Sequence, residues 1–285
     1  MRWRNMRRST NVEDVRGRRS AVGAGGLKLG AGGLIAILAI SLLLGKNPLE
    51  LLSLLEQQTG GAMQEQAAAP AASDEGAQFV SAVLGDTEDT WARLFERMDR
   101  HYQPPKLVLF RGAVRSACGF ASAAVGPFYC PGEARVYLSL DFFDELHQRF
   151  GAPGDFAQAY VIAHEVGHHV QNLVGIAEAV AGKRGRVGTA DSNALSVRQE
   201  LQADCFAGVW GHFAARRELL ESGDVQEGLA AAAAIGDDRL QRQSGGEVSP
   251  ESFTHGSSKQ RVKWFRTGLE SGDPGQCDTF SAAQL

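Results

Sequence analysis

The chain lacks several patterns that would assign it to a common class of protein. Its four cysteines never form a C-x-x-C pair, which argues against a metal site made of four thiolates. No segment repeats along the 285 residues, so a repeat architecture is excluded. The Gly-rich runs at 23–33 and 59–61 lack the strand–turn–helix setting of a phosphate-binding loop.

Basic residues are concentrated near the start of the chain. Residues 1–28 contain eight Lys/Arg and two acidic residues, whereas the whole chain contains 29 basic and 33 acidic residues. Residues 29–285 therefore have 21 basic and 31 acidic residues, a net charge of −10. Because a nucleic-acid surface needs clustered Lys/Arg facing phosphates, this acidic body predicts that there is no nucleic-acid partner.

Residues 27–45 (LKLGAGGLIAILAISLLLG) form a long apolar run with Lys28 as its only charge. As a helix, this run would be roughly 28 Å long, close to the hydrocarbon thickness of a bilayer. The Arg-rich residues before it predict, by the positive-inside rule, a cytoplasmic N-terminus and an extracytoplasmic remainder. We therefore predict a single-pass anchor in the cytoplasmic membrane. A cleaved signal peptide and a buried core helix are the alternatives.

Composition divides the chain into four parts. Residues 1–26 are predicted to be a basic cytoplasmic tail and residues 27–45 the transmembrane anchor. Residues 46–78 include an Ala/Gly/Gln-rich stretch and are predicted to be a linker. Residues 79–285 are long enough to form one domain with a sizeable core.

The predicted domain combines helices with a few short strands. Apolar residues recur with helical spacing in 79–102, and β-rich or alternating runs predict strands within 106–110 and 134–143. Capping patterns predict the starts of three later helices, at Asp155, Ser196 and Ser257. The expected fold class is α+β, mainly helical with a small β-sheet.

All four cysteines follow the apolar run, as expected for a domain in an oxidising compartment. Three pairings are possible. Cys118 and Cys130 bracket a short segment, which favours a disulfide between them and leaves Cys205 to pair with Cys277. Four reduced, buried thiols are the alternative.

The sequence His164-Glu165-Val166-Gly167-His168 lies within a predicted helix. Positions four apart share one face of a helix, so the imidazoles of His164 and His168 can converge on one ion. Glu165 lies one position round and can sit beside that ion without binding it. This spacing predicts a zinc site with a base next to it. A surface helix with unrelated His and Glu residues is the alternative.

A second pair, Glu200 and Asp204, is also four apart near the start of a predicted helix. The neighbouring residues are apolar, so both carboxylates are expected to point inward, where a buried charge needs a compensating partner. Glu200 would complete a set of two histidines and one glutamate as zinc ligands. Asp204 would accept the distal N–H of a ligand imidazole and fix its tautomer. A solvated acidic face is the alternative.

H-E-x-x-H followed by E-x-x-x-D resembles the thermolysin-type zincins with a Glu third ligand. More closely, AHEVGHHVQ, RQELQADCFAGVW and THGSSKQRVKWFRTG are similar to the bacterial family of putative neutral zinc metallopeptidases, which are exported and membrane-anchored. The resemblance covers residues 79–285 and the anchor. It implies a zincin-like metalloprotease domain that binds Zn²⁺ through His164, His168 and Glu200, with Glu165 as general base.

Thr-His-Gly-x-x-x-x-Arg, at residues 254–261, resembles the T-H-P-x-x-x-x-R element of membrane-embedded Glu-zincins, although Gly256 replaces the proline. In those proteins a His and an Arg stand near the site. The resemblance implies that His255 is a catalytic residue and that Arg261 supports the transition state. A structural salt bridge is the alternative for Arg261. His169 follows a ligand on the wrong face of the helix and is not expected to bind metal.

These features predict a zinc metalloendopeptidase that acts on protein or peptide substrates outside the cytoplasmic membrane. Glu165 would take a proton from a zinc-bound water and pass it to the leaving amine. The strand within 134–143 could offer a free edge to an extended substrate. The alternatives are a zinc amidohydrolase acting on a non-protein amide and a metal-stabilised interaction protein without turnover. A purely structural metal site would have no use for Glu165, which argues against the interaction protein.

Overall fold

The computed structural model describes three stretches of the chain: residues 1–17, 74–122 and 126–285. The predicted anchor at 27–45 lies outside them, as does most of the predicted linker. Within the described stretches, no helix is both long and apolar enough to cross a membrane.

The chain divides into two compact units. One consists of Met1–Val15 and Pro70–Leu285, and the other of Arg16–Ala69. Apart from Arg16 and Gly17, the second unit lies outside the described residues.

The described residues contain eight α-helices: α1 (Glu75–Arg97), α2 (Asp141–Gln148), α3 (Asp155–Leu173), α4 (Ile176–Arg184), α5 (Thr189–Arg216), α6 (Asp224–Ala234), α7 (Asp237–Gln243) and α8 (Ser258–Ser271). They contain six strands: β1 (Val12–Asp14), β2 (Lys106–Phe110), β3 (Ala113–Ser116), β4 (Gly119–Ser122), β5 (Phe128–Cys130) and β6 (Arg135–Ser139). Short 3₁₀ helices lie at Trp3–Asn5, Pro250–Ser252 and Pro274–Cys277. The predicted α+β class, mainly helical with a small sheet, is confirmed.

Four strands form one sheet in the order β1-β2-β6-β5, in which only β5 runs antiparallel to its neighbour. The register pairs Val12 with Leu107, Leu107 with Val136, and Val136 with Tyr129. Strand β6 is paired on both sides, so the free edge predicted within 134–143 is wrong. Among the described strands, β5 forms this edge of the sheet instead, and β3 and β4 make a separate hairpin.

The first residues of the chain are part of the folded unit, whereas the sequence predicted a separate tail at 1–26. The ring of Trp3 is buried and packs edge-on against Phe79 of α1, with 5.6 Å between centroids. Arg7 forms an ion pair of 2.8 Å with Glu88 of the same helix. Three basic residues near the start, Arg2, Arg4 and Arg7, therefore pair with acidic residues of the domain, an arrangement that charge counts alone cannot reveal.

Helices α3, α5 and α8 pack together at the centre of the unit. Phe156 of α3 stacks on Trp210 of α5 with 5.7 Å between ring centroids, and Tyr160 of α3 meets Phe265 of α8 at 4.9 Å. All four side chains are fully buried. This packing brings the predicted metal-binding turn of α3 against the Glu200 turn of α5.

Helix α3 starts where predicted but with a different cap, and the predicted start of α5 is wrong. Helix α3 begins at Asp155, but its N-cap is Gly154, whose φ of 113° suits glycine. Helix α5 begins at Thr189, well before the predicted cap Ser196, which lies inside the helix and donates its hydroxyl to the carbonyl of Ser192. A serine that bonds back one turn resembles a cap in the sequence although it is interior.

Helix α8 has the predicted boundaries. Ser257 and Gln260 form a capping box, in which each side chain bonds to the backbone of the other residue. The helix ends before Gly272, which adopts the left-handed conformation at φ 62°.

Both predicted cysteine pairs are present. The sulfur atoms of Cys118 and Cys130 are 2.04 Å apart, and those of Cys205 and Cys277 are 2.03 Å apart. The first disulfide ties the turn of the β3–β4 hairpin to the end of β5. The second ties α5 to the last 3₁₀ helix.

Candidate metal centre

Successive turns of α3 present His164 and His168 on one face, opposite Glu200 of α5. His164 Nε2 lies 3.2 Å from Glu200 Oε2, and His168 Nε2 lies 3.4 Å from Glu200 Oε1. One donor atom from each residue lies within 4.8 Å of the other two. The structure therefore brings together the three ligands predicted from the sequence.

This donor set fits zinc. Two imidazole nitrogens and a carboxylate oxygen are ligands that hydrolytic zinc sites use, with a further position left open. Burial raises the pKa of Glu200, but His168 and His164 outweigh burial and hold that pKa well below its usual value. The Glu200 carboxylate is therefore ionised, as a metal ligand must be.

Asp204, one turn after Glu200, is fully buried and accepts hydrogen bonds from three side chains. His164 Nδ1 lies 2.8 Å from Asp204 Oδ1, which also accepts from the Tyr160 hydroxyl. Burial raises the pKa of Asp204, but Arg261 and His164 reverse this and lower it. Because the ionised carboxylate only accepts hydrogen bonds, His164 donates through Nδ1–H, so a bound metal would take Nε2.

The guanidinium of Arg261 donates hydrogen bonds within this network. Its Nε and Nη2 atoms each lie 2.8 Å from an oxygen of Asp204, and its Nη1 donates to the carbonyl of Ile235 at 3.2 Å. Arg261 is 2% exposed. This geometry favours the salt bridge over direct transition-state support, because a buried carboxylate needs a paired cation.

Glu165 follows His164 and lines the same cavity as the three ligands. Its side chain is buried, and burial raises its pKa against the opposing charges of His164 and His168. Burial thus shifts the pKa of this carboxyl in the direction that favours a general base.

His255 lies just before α8, in the wall of the cavity, with half of its side chain exposed. Its Nδ1 lies 3.1 Å from Asp237 Oδ1, while Asp237 Oδ2 accepts the backbone N–H groups of Thr254, His255 and Gly256. The bond to Asp237 raises the pKa of His255. The sequence did not predict this role of Asp237, because no motif marks the first residue of α7 as a partner of His255.

The cavity has a volume of about 1120 Å³. Besides the candidate metal-binding residues, its wall includes apolar and aromatic side chains from β5, α2, α7 and the segment after α2: Phe128, Tyr129, Phe142, Phe150 and Leu240. The cavity is large enough to hold several residues of a peptide.

His169 is turned away from the metal ligands, as its position on the helix predicts. Its Nε2 donates to the carbonyl of Gln103 at 2.6 Å, so its Nδ1 accepts from the Tyr129 hydroxyl at 3.0 Å. Burial lowers the pKa of His169 to about 4, which keeps the ring neutral. His169 therefore joins α3 to β5.

A second group of carboxylates, Asp155, Asp224 and Glu227, also clusters within the described residues. The α-ammonium of Met1 lies 2.6 Å from Asp155 Oδ1 and 3.3 Å from Asp224 Oδ2. The cluster thus already binds a cation of the chain itself, and it contains no imidazole, so it is a poor candidate for zinc.

Comparisons with known proteins identify the family of the chain. The model of the family described as putative neutral zinc metallopeptidase matches residues 1–280. The chain is 50% identical over 284 residues to the uncharacterized protein YpfJ of Escherichia coli (strain K12), covering 98% of this chain and 99% of that protein. It is 50% identical over 196 residues to the uncharacterized protein Rv2575 of Mycobacterium tuberculosis, covering 65% of each chain. No solved structure is significantly similar. The chain therefore belongs to the family of putative neutral zinc metallopeptidases.

Proposed function

We propose that the chain is a zinc-dependent endopeptidase in which Glu165 acts as the general base. The observation that carries the proposal is the buried carboxyl of Glu165 next to His164, in the wall of the cavity where His164, His168 and Glu200 converge. When bound by these three ligands, zinc would act as a Lewis acid and would lower the pKa of a coordinated water to about 7.

The side chains of the protein divide the proton transfers between them. Glu165 takes a proton from the attacking water and returns it to the amine of the leaving group, and a pKa raised by burial suits both steps. Asp237 holds Nδ1 of His255 and favours the protonated ring. His255 Nε2–H can then donate to the negative charge that develops on the scissile carbonyl oxygen.

Strand β5 supports an extended peptide as the substrate. Phe128 and Tyr129 of β5 line the cavity, and in the described part of the chain β5 pairs only with β6. An extended peptide can add to such an edge through main-chain hydrogen bonds. This favours a protein or peptide over a small amide.

We also propose that the domain works outside the cytoplasm. Two disulfides tie elements of the domain together, and disulfides persist mainly in oxidising compartments.

Replacing Glu165 with Gln tests the proposed base. We expect hydrolysis of a peptide library to fall by about 10²- to 10⁴-fold, because the amide cannot take the water proton. Zinc content should stay at the level of the unchanged chain. Glu178→Gln, on the exposed surface of α4, is the matched control and should keep full activity. Activity of the Glu165→Gln variant equal to that of the control would disprove the mechanism.

Replacing the ligands tests the metal centre separately. His164→Ala and Glu200→Ala should each lose zinc on dialysis, as measured by metal analysis, while Glu165→Gln retains it. If both alanine variants kept one zinc per chain, the ligand assignment would be wrong.

A further inference from the structure

The two histidine ligands have different partners on their Nδ1 atoms. His164 faces the carboxylate of Asp204, whereas His168 Nδ1 lies 2.9 Å from the side-chain oxygen of Gln171. An amide oxygen can only accept, so His168 donates through Nδ1–H, and a bound metal would take Nε2. Gln171 thus accepts the Nδ1–H of His168 as a neutral partner, in the same way as the charged Asp204 accepts that of His164.

The orientation of the Gln171 amide is determined by its other contacts. Its Nε2 donates to the backbone carbonyl of Gln199 at 2.7 Å, and a carbonyl cannot donate in return. The same Nε2 donates to the side-chain oxygen of Gln202 at 3.0 Å. The amide oxygen must therefore face His168.

Gln202 is held in the same way. Its own Nε2 donates to the backbone carbonyl of Cys277 at 2.9 Å, which leaves its oxygen to accept from Gln171. Gln171 is fully buried and Gln202 is 5% exposed. Buried amides cannot turn without losing these bonds, and an unsatisfied buried polar group is costly. In the series of hydrogen bonds His168–Gln171–Gln202–Cys277, each residue therefore donates to the next, and the reverse order is not possible.

We propose that Gln171 is a positioning residue for the metal ligand His168, and that Gln202 holds Gln171 in place. The proposal rests on the metal centre proposed above. Hydrogen-bond partners of metal-bound histidines change metal affinity by about 10- to 100-fold when they are removed. Gln171 and Gln202 therefore contribute to the tight binding of zinc although neither contacts it.

The proposal is tested by the zinc dissociation constant of the full chain, measured by competition with a chromogenic chelator. Gln171→Met keeps the length of the side chain but removes the acceptor, and we expect zinc to bind about 10- to 100-fold more weakly. Gln202→Met leaves the Gln199 contact of Gln171 intact and should weaken binding less. Gln158→Met, at a half-buried position of the same helix, is the control and should bind zinc like the unchanged chain.

A second experiment, in the His168→Ala variant, distinguishes the proposed role of Gln171 from a purely structural one. If Gln171 acts through His168, Gln171→Met should have no further effect on zinc binding once His168 is Ala. The proposal would be overturned if Gln171→Met weakened zinc binding equally with and without His168. It would also be overturned if both Gln171→Met and Gln202→Met left the zinc affinity unchanged. If Gln171→Met does not fold, Gln202→Met alone decides between these results. An unchanged chain that binds no zinc would overturn the metal centre as well.

Discussion

Asp204 and Asp237 each hold a histidine of the cavity by its Nδ1 atom. Asp204 is fully buried and shares its charge with Arg261, which makes it a rigid partner of His164. Asp237 lies nearer the surface, where one of its oxygens faces the His255 ring and the other accepts three backbone N–H groups of residues 254–256. In both cases the aspartate leaves Nε2 of the imidazole available, for a metal in one and for a substrate in the other.

Replacing Asp237 with Asn should lower the pKa of His255 towards its ordinary value of about 6.5, because the variant loses the negative partner. A raised pKa in the folded chain means that the pair stabilises the fold below pH about 6.5, and that this contribution is lost as pH rises through the folded pKa. An NMR titration of the His255 ring in zinc-loaded protein measures the shift. Asp238→Asn, which alters the neighbouring carboxylate, should leave the pKa of His255 unchanged. An unshifted pKa in Asp237→Asn would show that Asp237 does not control His255.

The sequence could predict the candidate metal-binding residues and the neighbouring carboxylate where spacing along one helix carried the information. His164 and His168, or Glu200 and Asp204, are one turn apart, so helical geometry alone puts each pair on one face. The contacts of Gln171 and Asp237 are different. Both residues look like ordinary polar residues of a helix, and their roles appear only when other elements bring their partners close.

Helices α5 and α8 carry Asp204 and Arg261, and they cross with almost no space between their backbones. A Cβ atom on Gly268 would lie 1.9 Å from the carbonyl oxygen of Cys205, and one on Gly208 would lie 2.1 Å from that of Phe265. Only glycine allows this approach. The distance from Arg261 to Asp204 therefore depends on both glycines.

Gly268→Ala should force the helices apart and destabilise the fold by about 1–3 kcal/mol, as overpacking of a core does. Gly182→Ala is the matched control, because a Cβ there meets nothing within 4 Å and the residue lies within α4. Alanine at an open helical position should instead stabilise by about 0.5–1 kcal/mol. Denaturant unfolding of both variants measures the difference. Equal stability of Gly268→Ala and the unchanged chain would mean that the backbones of α5 and α8 lie farther apart at this crossing.

The elements differ in how far local sequence determines them. The capping box of Ser257 and Gln260 marks the start of α8, because both hydrogen bonds form within one turn. Strand β1 has no such local signal. Its three residues, Val12–Asp14, are half-buried and become a strand through pairing with Leu107–Leu109 of β2, far away in the chain. Interactions of this kind are outside the reach of periodicity and capping rules.

The position of β1 also has a consequence for the whole molecule. Met1–Val15 and residues 75–285 build one sheet and one core, so they must lie on the same side of any membrane. A single crossing by residues 27–45 would separate β1 from β2. An N-terminus in the cytoplasm and a metal centre outside it are therefore hard to combine with this fold. If the metal centre lies outside the cytoplasm, as proposed from the disulfides, the first residues lie there with it.

The metal centre is tested most directly by crystals of the zinc-loaded chain, with an anomalous difference map recorded at the zinc absorption edge. We predict one strong peak about 2.0–2.2 Å from His164 Nε2, His168 Nε2 and a carboxylate oxygen of Glu200. No peak at these three residues, or a zinc peak only at the carboxylates of Asp155, Asp224 and Glu227, would contradict the assignment of the centre and the function proposed from it.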